Sequence, residues 1–183
     1  MAELIARTAA EGLLPRTIGA VTLTEAPEGP LTVLMPFRGQ ADALSAALSG
    51  AHGLALPATG QFATSGTARV QWFGRQAWLL SGQAPDPGLA AHAAVADQTD
   101  AWTRVIVSGA DALACLARLV PVDLGDAAFG PGTALRTELF HMQAALLRLS
   151  ATEVEVACFR SMARTLVHDL ATAAEGLAAR SRI

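Results

Sequence analysis

Lysine, tyrosine and asparagine are absent from the 183 residues, so all 13 basic residues are arginine. Without lysine no Schiff base and no phosphate-loop ammonium can form, and without tyrosine there is no phenolic acid or base. GC-rich coding also disfavours these residues, and the chemical exclusion holds either way. Charge is scarce as well: charged residues make up 16% of the chain, against about 25% in an average domain. The net charge of -3 is spread over singly placed arginines and acids. No basic stripe is available to track a phosphate backbone, which argues against nucleic acid as a partner. No apolar run approaches the ~18 residues of a membrane span. The first residues, Met1-Ala2-Glu3-Leu4-Ile5-Ala6-Arg7, carry an early acid and no signal-peptide core. A soluble protein without a membrane partner is expected. The two cysteines, Cys115 and Cys158, have no companions at metal-ligand spacing. Two thiols without a secretion signal point to a reducing cytoplasm.

What is present is apolar. Mean hydropathy is +0.37. Either apolar surface is left over after folding and marks a partner face, or the many alanines raise hydropathy without making patches. A chain of this length buries roughly 70% of its unfolded surface, enough for one domain over residues 1–183. Strands are expected at Ile18–Thr24, Leu31–Met35, Thr67–Phe73 and Gln76–Ser81, with Gly74-Arg75 as a hairpin turn. A helix over Arg38–Ser49 stacks Leu44 and Leu48 and stops at Gly50. Asp86 and Pro87 open a short helix running to Ala94.

The second half repeats that order with strand Thr103–Val107, helix Asp111–Leu119, strands Ala134–Phe140, Gln143–Leu149 and Val154–Phe159, and a long helix capped by Ser161. Met162, Leu166, Leu170, Ala173 and Leu177 hold its apolar face in register. The fold class is therefore α+β, two interwoven halves of strand, helix, hairpin and helix sharing one core, with possible sub-halves at 17–96 and 97–180. Ala51–Gly66 lacks apolar anchors and is expected to be the most mobile stretch.

The candidate chemistry is thin. His52, His92, His141 and His168 show no metal-ligand spacing, and no serine sits in a nucleophile elbow. Thr64-Ser65-Gly66-Thr67 and Ser108-Gly109-Ala110-Asp111 lack dinucleotide-loop spacing, and Asp111 would repel an anion at the second. Cys158 alternates with Val154 and Val156, the place of a small buried hydrophobe. No catalytic, cofactor-binding or metal residue is assigned. Arg136, His141, Arg148 and Arg160 need explanation because they lie in or beside apolar strands. Arg136 and His141 are five apart, on opposite faces of an ideal strand. An arginine here pairs with an internal acid such as Glu138 or Glu155, or with a carboxylate of a partner. Trp72 and Trp78 flank the hairpin, and at least one is a candidate interface anchor.

Several short stretches, taken in order, resemble a known family. They are Trp72-Phe73-Gly74-Arg75-Gln76-Ala77-Trp78-Leu79-Leu80, Asp97-Gln98-Thr99, Gly109-Ala110-Asp111-Ala112, Leu119-Val120-Pro121-Val122-Asp123-Leu124, Arg136-Thr137, His141-Met142 and Arg160-Ser161. Their order and spacing resemble the gamma subunit of heterotetrameric sarcosine oxidase, whose fold is related to folate-dependent aminomethyltransferases. One departure is Gly74-Arg75-Gln76-Ala77-Trp78, where the family commonly has an acid before the tryptophan.

The resemblance implies a non-catalytic subunit that stabilises a flavoprotein complex with alpha, beta and delta subunits. That complex demethylates sarcosine to glycine and passes the one-carbon unit to tetrahydrofolate. FAD, FMN, NAD and tetrahydrofolate are then held by the partner subunits. Catalytic relatives carry acids in the hairpin after the strand equivalent to Ala134–Phe140. The segment His141-Met142-Gln143-Ala144-Ala145-Leu146-Leu147-Arg148-Leu149 has none. The alternatives are a free-standing folate-binding or aminomethyltransferase-like one-carbon protein, and a self-associating domain unrelated to oxidases.

Overall fold

A computed structural model describes residues 7–180. Strands β1 (Arg16–Ile18), β2 (Val21–Glu25) and β3 (Leu31–Pro36) are followed by helix α1 (Ala41–His52). Then come β4 (Phe62–Ser65), β5 (Ala68–Gly74), β6 (Ala77–Ser81), a 3-10 turn (Pro87–Ala91) and β7 (Ala93–Asp97). The remainder is β8 (Trp102–Ser108), α2 (Ala112–Leu116), β9 (Ala134–Leu139), β10 (Met142–Ser150), β11 (Glu153–Phe159), a 3-10 turn (Arg160–Met162) and α3 (Ala163–Arg180). The α+β expectation holds.

The strands form two antiparallel sheets, in the orders β9-β10-β11-β8-β2-β1 and β4-β5-β6-β3-β7. The two orders run in parallel: a hairpin pair, a third strand, the strand before the helix, then a strand from elsewhere. That fifth strand is exchanged between the repeats. β2 precedes β3 in the chain but pairs with β8, while β7 precedes β8 but pairs with β3. The halves are interwoven by this exchange, and a division at 96/97 falls inside β7, before its last residue, Asp97.

Period-two alternation decides the layers. Val105, Val107, Val154, Val156 and Cys158 point to one side of the first sheet and join a core with α2 and α3, while Ala157 faces the other sheet. On the second sheet Leu34, Val70 and Leu80 pack with Leu44 and Leu48 of α1. Leu31, Val33, Phe73 and Leu79 turn inward against Trp102, Ala145 and Ala157. The result is four layers, helix, sheet, sheet, helix.

Helix α3 buries Leu166, Val167 and Leu170 at its centre, each worth roughly 1.5–3 kcal/mol of transfer free energy. Between the sheets Glu155 accepts from Arg69 at 2.6 Å and lies 3.5 Å from Arg104, a buried charge cluster inside an apolar layer.

Several expectations are corrected. Ile18–Thr24 is a hairpin, because Gly19 takes a left-handed φ of 57° and reverses the chain between β1 and β2. Gly50 lies inside α1; the stop is Gly53, at φ 67°, whose N–H bonds the Ser49 carbonyl. The 3-10 turn ends at Ala91, and β7 occupies the residues expected to extend it. Asp86 does cap that turn, accepting from the Gly88 N–H at 2.8 Å. Ser161 lies within the Arg160–Met162 turn rather than before a helix.

The stretch Ala51–Gly66 is anchored after all. Leu54 is buried, the Leu56 N–H donates to Ser45 Oγ, and 62–65 forms β4. The β5–β6 reversal turns at Arg75 and Gln76, with Gln76 at φ 53°, one residue later than expected.

Candidate functional site

Trp102 opens β8, and its position follows from a clasp just before it. Asp97 Oδ1 accepts from both the N–H and the hydroxyl of Thr99, at 2.9 and 2.7 Å. These bonds hold the Asp97 carboxyl below the usual carboxylate range. Thr99 Oγ1 in turn accepts from the Leu31 N–H at 3.1 Å. The Asp97-Gln98-Thr99 motif therefore ties the β7–β8 turn to the start of β3. It is a structural fastening that delivers Trp102 to the edge between the sheets.

Around Trp102 three side chains converge from three strands. The Phe73 ring meets it edge-on at 5.1 Å, with 83° between planes. Phe159, opposite Trp102 in the β8–β11 register, stacks on it at 4.9 Å and 26°. The Arg136 guanidinium from β9 lies 4.4 Å from the Phe73 ring centre and 5.4 Å from that of Trp102. Cation–π contacts of this kind contribute about 0.5–2 kcal/mol. Trp102 is 8% exposed, and its indole N–H is buried without a hydrogen-bond partner among the described residues. The ring is held by its faces. Phe159 is 48% exposed, an aromatic side chain left in water beside a buried one.

Arg136 is half-buried, and among the described residues it has no hydrogen bond and no ion pair. Burial pushes its pKa down with nothing to oppose it. The acids expected for it are engaged elsewhere. Glu155 serves Arg69 and Arg104, and Glu138 accepts from Gln143 Nε2 at 3.3 Å.

The remaining candidates disperse. Arg148 is 1% exposed and donates to the carbonyls of Leu124, Phe129, Ser150 and Ala151 and to Asp126 Oδ1. It fastens the 124–130 loop over the end of the helix-side core. His141 is exposed and sits in the β9–β10 turn, between the two expected strands; Phe140, expected to end the first of them, instead reverses the chain at φ 49°. Arg160 donates to the Arg7 carbonyl at 2.6 Å and lies 3.5 Å from Asp100. Trp78 packs toward α1 and donates through its indole N–H to the Pro57 carbonyl at 3.0 Å. Trp72 stands opposite it in register and is half-buried.

The exposed aromatics are Phe37, Phe140 and Phe159, none of them singled out by sequence. For Phe159 a signal existed: it continues the Glu155, Ala157 face one step past the last covered position.

An open cleft of about 310 Å³ lies on the other side of Trp102, lined also by Glu25, Thr99, Arg104 and Arg160. Two of its charges are used within the chain: Glu25 accepts from Thr8 and the Ala10 N–H, and Arg104 donates to the Pro27 carbonyl. Both cysteines are buried, and desolvation raises Cys115 to about 11 and Cys158 to about 12. Among the described residues no group of three or more His, Cys, Asp or Glu is placed to hold a metal ion. Among the same residues no helix is long and apolar enough to cross a membrane.

No family model matches the chain, and no curated protein matches it in sequence. Among solved structures it is similar to a chain of the heterotetrameric sarcosine oxidase of Corynebacterium sp. U-96, solved in complex with pyrrole 2-carboxylate. The TM-score is 0.78 at 24% identity, over 94% of this chain and 96% of that one. The two chains share a fold along nearly their whole lengths. The regulatory subunit of aspartate kinase from Thermus flavus matches at a TM-score of 0.43 and 15% identity, over 86% of this chain and 99% of that one. The same subunit from Thermus thermophilus, in its ligand-free form, matches at 0.42 and 12%, over the same shares. Neither score is high enough to bear on the fold.

Proposed function

We propose that this chain is the non-catalytic gamma subunit of a heterotetrameric sarcosine oxidase. On this reading it stabilises a flavoprotein complex that demethylates sarcosine to glycine, with one-carbon transfer to tetrahydrofolate. The observation that carries the proposal is the end-to-end likeness to a chain of such an oxidase, at a TM-score of 0.78. The site chemistry agrees with it. Where polar groups converge, arginines are spent on carbonyls, acids and aromatic rings. An exposed aromatic beside a half-buried arginine is the composition of a docking surface. FAD, FMN, NAD and tetrahydrofolate belong on this reading to the alpha, beta and delta subunits, and the aminomethyltransferase-like ancestry is part of the same proposal.

Co-expression with the alpha, beta and delta subunits of a sarcosine oxidase from the same organism tests it. The chain is expected to co-elute with them, and alone to be colourless and inactive toward sarcosine. Folate binding with turnover by the isolated chain, or a stable homodimer that ignores all three subunits, would overturn the proposal.

A further inference from the structure

We propose that Arg136, Trp102 and Phe159 form the hot spot through which this chain grips a partner subunit. The partner supplies a carboxylate to the Arg136 guanidinium and an apolar side chain against Phe159. This rests on the subunit reading above and adds the chemistry of the contact.

The argument begins with an unmet demand. A guanidinium is a fork of five N–H donors, and removing it from water costs free energy unless acceptors replace the water. Arg136 has surrendered part of its hydration to lie over Phe73 and Trp102, yet among the described residues it has no acceptor at all. The other arginines of this region do not share that state. Arg69 and Arg104 hold Glu155, and Arg160 has the Arg7 carbonyl and Asp100. The acid on its own strand, Glu138, is engaged by Gln143. Stacking on ring faces leaves the edges of the fork available, which is the geometry that receives a carboxylate through two parallel hydrogen bonds.

The second observation is independent of charge. Phe159 stacks on the same Trp102 and keeps 48% of its surface in water. Its ring is already ordered by that contact, so covering it recovers apolar burial with little loss of side-chain freedom. A buried tryptophan in contact with an arginine and a stacked phenylalanine offers one charged and one apolar anchor around the same ring. An acidic residue next to an apolar one on a protein surface satisfies both.

The test measures the Kd of the purified chain for the assembled alpha, beta and delta subunits. Arg136→Gln is expected to weaken binding about 30-fold, the scale of a hot-spot truncation. Arg136→Lys should weaken it about fivefold or more, because an ammonium keeps the charge without the planar fork. Phe159→Ala, at a position 48% exposed, should cost about tenfold. Thermal unfolding of each isolated variant separates lost docking from lost folding, and Phe159→Ala decides if Arg136→Gln is unstable.

A wild-type complex indifferent to both Arg136→Gln and Phe159→Ala would overturn this inference and leave the subunit reading standing. Failure of the wild-type chain to join the three subunits would overturn both. A homodimer dispersed by Arg136→Gln, with the hetero-complex unaffected, would assign the surface to a second copy and overturn the inference.

Discussion

Replacing Arg148 with methionine removes the most heavily hydrogen-bonded side chain among the described residues while nearly keeping its volume. Arg148 donates to two buried carbonyls, Leu124 O at 3.4 Å and Phe129 O at 3.3 Å. It also reaches the part-exposed carbonyls of Ser150 and Ala151, at 2.6 and 2.9 Å. Each buried carbonyl left without a donor costs about 1–3 kcal/mol. The part-exposed carbonyls regain water. The Asp126 pair contributes about 0–1 kcal/mol, since that carboxylate is 82% exposed. Relief of the buried cation's desolvation offsets part of the loss. The net expectation for Arg148→Met is a destabilisation of about 3 kcal/mol. At about 2–4 °C per kcal/mol for a chain of this size, Tm falls by roughly 6–12 °C. Urea unfolding monitored by tryptophan fluorescence, with Asp126→Ala as companion, reads it. A loss under about 1 kcal/mol for Arg148→Met, or an equal loss for Asp126→Ala, would refute the assignment of the energy to the buried carbonyls.

Glu155→Gln leaves Arg69 and Arg104 facing one another between the sheets without a counter-charge; a loss of about 3–5 kcal/mol is expected in denaturant unfolding. Gly82 and Gly109 sit at positive φ, and a Cβ at either would press into a hairpin-turn carbonyl, that of Thr67 or Ala20. Alanine at either position should cost at least about 2 kcal/mol, read as a drop in Tm. The thiols, raised to about 11 and about 12 by burial, should resist a disulfide reagent at pH 8 until the chain unfolds. Their linkage has a definite sign: the unfolded thiols ionise near 9.0 while the folded ones stay protonated. Stability from this source is constant below that pH and declines as pH rises beyond it, which an unfolding series from pH 7 to 10.5 will show.

The strands that sequence located best are those whose alternation is enforced by two packed faces. β8 and β11 carry valines toward the helices at every second position. β4 and β7 escaped because threonine, serine and alanine give no period, and partners hold them in place. The β1–β2 hairpin was invisible as a turn because Gly19 stands between residues that all suit a strand. Gly50 misled as a helix stop: it is exposed on α1, where a missing side chain costs only the roughly 1 kcal/mol of glycine's helix penalty.

At the site, Arg136 stood out as a cation in an apolar strand, but its companions come from β5 and β8. No periodicity in β9 predicts which rings β5 of the opposite sheet and β8 of its own will bring. Phe140 was placed on the strand because nothing in the letters Leu139-Phe140-His141-Met142 announces a left-handed phenylalanine.

The exchange of β2 and β7 between the sheets makes the chain indivisible. Cut between β6 and β7, the N-terminal piece would hold a sheet short of its last strand and carry a strand with no sheet to enter, and the C-terminal piece would mirror the defect. Neither fragment would be a stable intermediate on the way to the native state, so both sheets must close in the same cooperative event. Pairings so distant in sequence make that event slow, and until it completes the rows of unpaired backbone on β8 and β3 lie open to the wrong neighbour.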